Sequence, residues 1–337
     1  MKILPLIFLF VLLPGPTNGQ TSAVGIIDFY GLRSLSERQA RQALRIKEGD
    51  SLPDSREEAE RRLEALPNVR QALLAAVCCE AGKTILYVGI KEKGTPSLQF
   101  RAAPKGPIRL PETMLRAGAA FDNALLEALE KGDVSEDHSQ GHALNSYPKL
   151  RGVQEQFITF AARDFKLLRA ALRESADAQQ RALAAQIIAY AANKQDVVKD
   201  LIYAMGDPDG EVRNNAMRAL GVIAALAAGA PERGIKIPAE PFVDMLNSTL
   251  WTDRNKSSLA LRWLTERRDP AVLSKLRERA LPALVEMARW KSPGHAQTPF
   301  VLLARVGGVP EDEIYKAWEG GNRETLIETV LRGVKSK

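Results

Sequence analysis

The chain has 337 residues, with 47 Lys and Arg against 41 Asp and Glu and a formal net charge of +6. That length suits two or three domains with sizeable cores. The positive excess is small and interleaved with carboxylates, which argues against a nucleic-acid binder. Two cysteines exclude a disulfide-rich scaffold.

Met1 and Lys2 make a short positive start, residues 3–13 are an apolar run, and residues 14–19 are turn-rich and end in small side chains. The run falls short of the roughly 20 apolar residues of a membrane span but suits the core of a secretory signal. Thr17 and Gly19 have the spacing that a signal peptidase reads. Residues 1–19 are therefore expected to be a signal peptide cut between Gly19 and Gln20, with a cut after Ala23 as the alternative. No cysteine stands at the junction, so a lipid anchor is not expected. The expected product is exported, to the periplasm, the cell envelope or the medium. No later stretch approaches spanning length, and the C-terminal half lacks the alternating segments of a β-barrel.

Residues 24–30 are β-rich, with Ile27 and Phe29 on one face and Ile26 and Tyr30 on the other. Ser36 stands three residues before Gln39, a capping-box spacing that starts a helix with Ala40, Ala43 and Leu44 on its apolar side. Ser55 and Glu58 repeat that spacing, and Ala59, Leu63 and Leu66 give the second helix its apolar stripe. Residues 69–79 and 83–92 then read as an antiparallel strand pair turned at Ala81 and Gly82. Three strands need two helices to cover one face. Cys78 and Cys79 are neighbours whose Cα atoms, about 3.8 Å apart, sit closer than an ordinary disulfide span of roughly 4.4–6.8 Å. A reduced pair, one thiol buried and one partly exposed, is expected, with an intermolecular bridge or a redox role as the alternative.

The order β-α-α-β-β over residues 24–92 resembles a POTRA domain, the polypeptide-transport-associated module of outer-membrane assembly and secretion proteins. The matching marks are Gly31 and Leu32, the turn at residues 47–50, the junction at residues 66–69 and the closing Ile90, Lys91 and Glu92. The resemblance implies that the module binds other polypeptides and that the second strand offers a free sheet edge. Val69, Gln71, Leu73, Ala75 and Val77 are the candidate interaction residues. Two departures stand out: the chain carries no barrel of its own, and one such module rather than several.

Residues 93–150 read as a connector. Pro96, Pro104, Pro107 and Pro111 break any periodicity, and Lys93, Arg101, Lys105, Arg109 and Arg116 face only Glu112. A solvated linker packing partly against its neighbours is expected, with a docking site for an acidic or phosphate surface as the lesser reading. A short amphipathic helix is expected over residues 121–131. His138 and His142, with Asp133, Glu136 and Asp137 nearby, could hold zinc if they lay on one helix face. Gly141 interrupts that pattern and no third ligand is marked, so polar loop capping is favoured, with neither metal nor cofactor expected.

Residues 151–337 are Ala- and Leu-rich with helical periodicity. Residues 177–191 align with 209–223, matching Arg181 to Arg213, Ala184 to Ala216 and Ile188 to Leu220. Residues 253–264 align again after a longer step, and residues 300–307 form a looser fourth copy. Residues 205–223, MGDPDGEVRNNAMRALGVI, resemble a HEAT repeat of the bacterial lyase-like kind. The resemblance implies a solenoid in which stacked helix pairs share one core. Trp263 falls at a core position of the repeat, whereas Trp290 suits a buried site and an exposed ridge equally.

The expected fold is thus an α+β N-terminal domain followed by an all-α solenoid, divided as 1–19, 24–92, 93–150 and 151–337. No nucleophile elbow, phosphate loop or dinucleotide fingerprint occurs. The chain reads as an exported, non-enzymatic adaptor of the cell envelope whose partners are proteins, outer-membrane or exported polypeptides among them, with peripheral membrane contact left open. Two alternatives remain: a metal-dependent or lyase-like enzyme using the His138 and His142 loop, and a structural envelope component. Oligomeric state is not legible.

Overall fold

Ser36 and Ser55 start the first two helices as their spacing requires. In a computed structural model describing residues 23–335, the Ser36 side chain accepts from Gln39 N–H while Gln39 reaches back to the Ser36 backbone, and Ser55 accepts from Glu58 N–H. The expected leader and its Gly19–Gln20 cut lie outside the described residues. The chain forms two compact units. One comprises Gln99–Pro241 with Leu259–Glu266; the other comprises residues 23–98, Phe242–Ser258 and residues 267–335. This grouping differs from the four segments drawn on the sequence, because the small sheet shares its unit with the last helices.

In that sheet-bearing unit the N-terminal elements are β1 (Val24–Tyr30), α1 (Glu37–Leu44), α2 (Arg56–Glu64), β2 (Val69–Glu80) and β3 (Lys83–Glu92). The strand order is β1-β3-β2, with β1 parallel and β2 antiparallel to β3. β3 is therefore central and β2 lies at an edge. Ala81 and Gly82 both take positive φ, the backbone of a two-residue hairpin turn. Leu44, Ala59 and Leu63 of the helices pack on Ile27, Ala72, Leu74, Leu86, Val88 and Ile90 of one sheet face. At the end of β3, Glu92 accepts from the amides of Arg33, Ser34 and Leu35 and from the Ser34 hydroxyl. Burial alone would raise its carboxyl, but these donors hold it at about 2. Cys78 is exposed and disulfide-bonded, not the reduced thiol expected.

The opposite sheet face is covered by helices far along the chain: α10 (Trp251–Leu264), α11 (Pro270–Ala288) and α12 (Pro293–Val306). Tyr87 stacks on Trp251 at 5.0 Å and lies 4.9 Å from Trp290, and its hydroxyl meets His295 Nδ1 at 2.5 Å. Tyr30 packs edge-on to Trp290 and donates to the Thr249 carbonyl at 2.7 Å. A Cβ on Gly89 would stand 2.2 Å from that carbonyl, so only glycine lets β3 approach so closely. Along β1, Lys291 N–H donates to Asp28 at 2.9 Å and the Lys291 ammonium to the Ile27 carbonyl at 2.7 Å. Trp290 is buried, which excludes the exposed ridge, whereas Trp263 is only half-buried. The unit is completed by α13 (Glu311–Glu319) and α14 (Arg323–Lys335).

The second unit holds α3 (Glu112–Glu130), the ribbon of β4 (Glu136–Asp137) and β5 (Leu144–Asn145), and α4 (Pro148–Arg163). It continues with α5 (Phe165–Glu174), α6 (Ala178–Ile188), α7 (Lys194–Met205) and α8 (Gly210–Gly229). The helix expected over 121–131 begins nine residues earlier, because Met114, Ala117, Phe121, Ala124 and Ala128 form one buried stripe. Asp177 and Asp209 each cap a helix by accepting two amides of its first turn. Arg181 Nη1 donates to the carbonyls of Ser175 and Ala176, and Arg213 Nη1 to those of Asp207 and Pro208. Arg181 also grips Asp207 through two bonds of 2.9 Å, both partners being buried. In the other unit, Arg254 donates to the carbonyl six residues back, Ser248, as Arg213 does to Asp207. Arg254, not Ser257 as the sequence alignment implied, is thus the third copy of the repeat arginine. No helix among the described residues is long and apolar enough to cross a membrane.

Two stability predictions follow from these contacts. Burial, aided by the charge of Lys256, pushes the His295 imidazole down to about 3. An unfolded histidine titrates near 6.5, so below that pH the unfolded chain binds a proton that the folded chain refuses. Stability present above pH 6.5 is lost as pH falls toward 3, by up to about 1.4 kcal/mol per pH unit. Thermal melts between pH 7.5 and 5 should show this decline, and His295→Asn should flatten it. Arg181→Ala should cost about 3–5 kcal/mol in urea unfolding by stranding buried Asp207, whereas R181M combined with D207L should cost much less.

Candidate functional site

Backbone pairing at an edge strand needs amides that turn away from the sheet, so those of β2 decide what that edge offers. Of the five positions singled out on β2, Val69, Ala75 and Val77 are buried, Leu73 is half-buried and Gln71 is exposed. The amides that turn outward at this edge include those of Ala72 and Leu74. Both are met by α2: Ala72 N–H donates to Glu64 Oε1 at 3.1 Å, and Leu74 N–H to Glu60 Oε1 at 2.8 Å. Glu60 and Glu64 are one helical turn apart and so project from one face of α2. Burial raises the Glu60 carboxyl, with the Leu74 amide and Arg56 opposing. The edge is therefore covered along its first half by two side chains. The Ser55 cap and the i, i+4 glutamates were readable; their reach to β2 was not.

His138 and His142 flank a tight turn in the β4–β5 ribbon, where Gly141 N–H donates to the His138 carbonyl. They serve different partners. His138 Nε2 meets Glu136 at 3.0 Å, and the same carboxylate holds Arg218 at 2.5 Å. Burial alone would raise Glu136, but Arg218 and His138 hold it at about 2. His142 packs on Tyr190, with its Nδ1 3.2 Å from the Lys194 ammonium. Burial, with Lys194 adding to it, pushes His142 down to about 4, and burial brings Lys194 itself to about 8. Lys194 also donates to the Ala189 carbonyl near the end of α6. A cation beside His142 opposes metal binding there. Among the described residues no group of three His, Cys, Asp or Glu side chains is placed to hold a metal ion. His138 bonds within the ribbon, whose Glu136 is tied to Arg218 of α8, and His142 packs the ribbon against Tyr190 and Lys194.

The connector packs against its neighbours along one side, as expected, and leaves Ala102, Ala103, Lys105, Pro107 and Arg109 exposed. Residues 99–110 run extended across the turns that join α5 to α6 and α7 to α8. Arg101 N–H donates to the Gly206 carbonyl, Gly106 N–H to that of Glu174, and Ala176 N–H back to Gly106. Leu110 N–H donates to the buried Gln180 side chain at 2.7 Å. Phe100 lies under the Arg213 guanidinium at 4.0 Å, and Arg101 lies over the Tyr203 ring at 3.5 Å while donating to the Tyr203 carbonyl. Arg173 also lies over Tyr203, and with Arg169 it pairs with buried Asp200. The basic residues of this stretch were visible in the sequence. Their partners were not, because the Tyr203 carbonyl that Arg101 meets and the Asp177 carboxylate that Arg109 meets are supplied by chain folded elsewhere.

Replacing Glu60 and Glu64 together by Ala should bare the β2 edge. Hydrogen exchange at Ala72 and Leu74 should quicken about fivefold, for a loss of roughly 1 kcal/mol per bond, and light scattering should report edge-to-edge association.

Three solved structures are similar in part. A computationally designed armadillo repeat protein for modular peptide recognition shares 17% identity, covering 56% of this chain and 91% of that one, with a TM-score of 0.36. A second designed armadillo repeat protein gives 17% identity over 56% and 91%, with a TM-score of 0.35. A third, in complex with the peptide (KR)4, gives 17% over 59% and 95%, with a TM-score of 0.32. No curated protein matches the chain. Residues 165–233, which run from α5 through α8, match the HEAT repeats family, and the capped, arginine-stapled helix pairs described above fall in that stretch.

Proposed function

We propose that this protein is an exported, non-enzymatic adaptor of the cell envelope that binds polypeptides on two surfaces. The observation that carries the reading is the run of stacked helical repeats at residues 165–233. Such repeats present long ridges and grooves to other chains. The second surface is the edge of the small sheet. Its β-α-α-β-β succession, with β2 outermost, is the arrangement that the POTRA resemblance implies. An extended segment pairs there once the Glu60 and Glu64 side chains swing off the Ala72 and Leu74 amides. Export rests on the signal-like composition of residues 1–19.

Fractionation of cells expressing the full chain should place it outside the cytoplasm, with mass spectrometry finding a mature N-terminus at Gln20. Cross-linking and affinity capture from the envelope fraction should recover defined exported or outer-membrane proteins. The Glu60→Ala/Glu64→Ala variant should recover more of any partner held at the sheet edge. A cytoplasmic chain with its leader intact, or capture that returns no envelope protein, would sink the proposal.

A further inference from the structure

The carbonyl oxygens of Glu174 and Gly206 hold the same place in successive repeats: each closes the helix that precedes a capping aspartate, Asp177 in one case and Asp209 in the next. Carbonyls at a helix C-terminus lack partners within the helix and so are standing acceptors. Residues 99–110 use both. Arg101 N–H reaches Gly206 and Gly106 N–H reaches Glu174, each at 2.8 Å, so an extended chain is read once per repeat. Ala176 N–H returns a bond of 2.9 Å to Gly106, which makes an isolated parallel bridge with Ser175. A Cβ on Gly106 would stand 2.5 Å from the Glu174 oxygen, so the ridge admits only glycine at that point.

Side chains are read as well. Phe100 lies beneath Arg213, the same arginine that staples the Asp207 turn, and Arg101 lies over Tyr203 with Nη2 3.8 Å from buried Asp207. The bound stretch is held from one side only: Ala102, Ala103, Lys105, Pro107 and Arg109 are exposed. A linker needs only to span a distance, whereas this one matches the repeat in backbone bonds, in a glycine at the point of closest approach and in a stacked aromatic–arginine pair.

We propose that this row of helix-end carbonyls is a rail for extended peptides and that residues 99–110 are its resident ligand. Resting on the reading that the protein binds polypeptides, the inference names what one surface takes. The partner is an extended segment with an aromatic–arginine pair followed five residues later by glycine, and it displaces the resident stretch. Because the resident is tethered, it competes at an effective concentration on the order of millimolar. The intact chain therefore shows the rail only weakly in trans.

The test uses a fluorescent peptide of residues 98–110, LQFRAAPKGPIRL, with the full-length wild type and the full-length Phe100→Ala/Arg101→Ala variant. The variant should bind the peptide at least about tenfold more tightly than wild type, since its own segment competes less well. A peptide carrying valine in place of the glycine at 106 should bind the variant at least tenfold more weakly. In the unmodified chain, saturating wild-type peptide should speed hydrogen exchange at the Arg101 and Gly106 amides. That measurement decides the matter by itself if the variant loses its helical circular dichroism. Equal binding of the glycine and valine peptides, or unchanged exchange at both amides, overturns the rail. Envelope capture by the wild type reads the adaptor function separately, so partners recovered while the peptide fails would sink the rail alone.

Discussion

A three-stranded sheet that is apolar on both faces must be covered twice, and that constraint organises the sheet-bearing unit. Residues 24–92 supply one cover, α1 and α2 over Leu86, Val88 and Ile90. The other face offers Tyr30, Tyr87 and the bare backbone at Gly89, and it is closed by Trp251, Trp290 and His295. Large aromatic surfaces bury more apolar area per residue than aliphatic ones, and here the two tyrosine hydroxyls are matched, Tyr30 to Thr249 and Tyr87 to His295. A module that resembles an independent domain by sequence is therefore half of a larger core. Its β1 rim is occupied by Lys291 as well, whereas along β2 the outward amides of Ala72 and Leu74 are met by Glu64 and Glu60.

The helical unit rests on a different device. Each repeat arginine reaches back to the carbonyls that precede its own helix, so the turn between helices is fixed by a side chain instead of by apolar packing alone. The Arg181–Asp207 pair then joins one repeat to the next through a buried, two-bond contact. A buried ion pair of this kind adds little net stability over an apolar substitute, although breaking it by removing one partner is costly. Fixing the turns also fixes the helix-end carbonyls of Glu174 and Gly206 at the repeat interval, and that regularity lets one extended chain satisfy both.

The titratable groups of the β4–β5 ribbon bond to different partners. Glu136 sits between His138 and Arg218, and His142 sits between Tyr190 and Lys194. Glu136 is held low by Arg218 and His138 against burial, whereas His142 is pushed down by burial with Lys194 adding to it. The i, i+4 spacing that suggested a shared ligand is real in sequence. It has no shared face because the segment is a turn closed by the His138 carbonyl and Gly141, not a helix.

Local chemistry was legible in the amino-acid sequence wherever a few neighbouring residues settle the outcome. The Ser36 capping box, the Ser55 cap, the hairpin turn at Ala81 and Gly82 and the recurrence of Arg181 at Arg213 all depend on contacts within one or two turns of chain. Length of periodicity was harder: α3 was shortened because prolines up to Pro111 masked the stripe that starts at Met114. What only the tertiary structure decided involves partners brought together from distant sequence. Trp290 became core because a sheet face more than two hundred residues earlier in the chain lacked a cover. Glu60 and Glu64 became guards of β2 because α2 folds over that rim, and residues 99–110 became a ligand because helix ends in two repeats left carbonyls in a row. Propensity and capping act over a turn of chain, whereas burial and the satisfaction of backbone groups are settled only once distant segments meet.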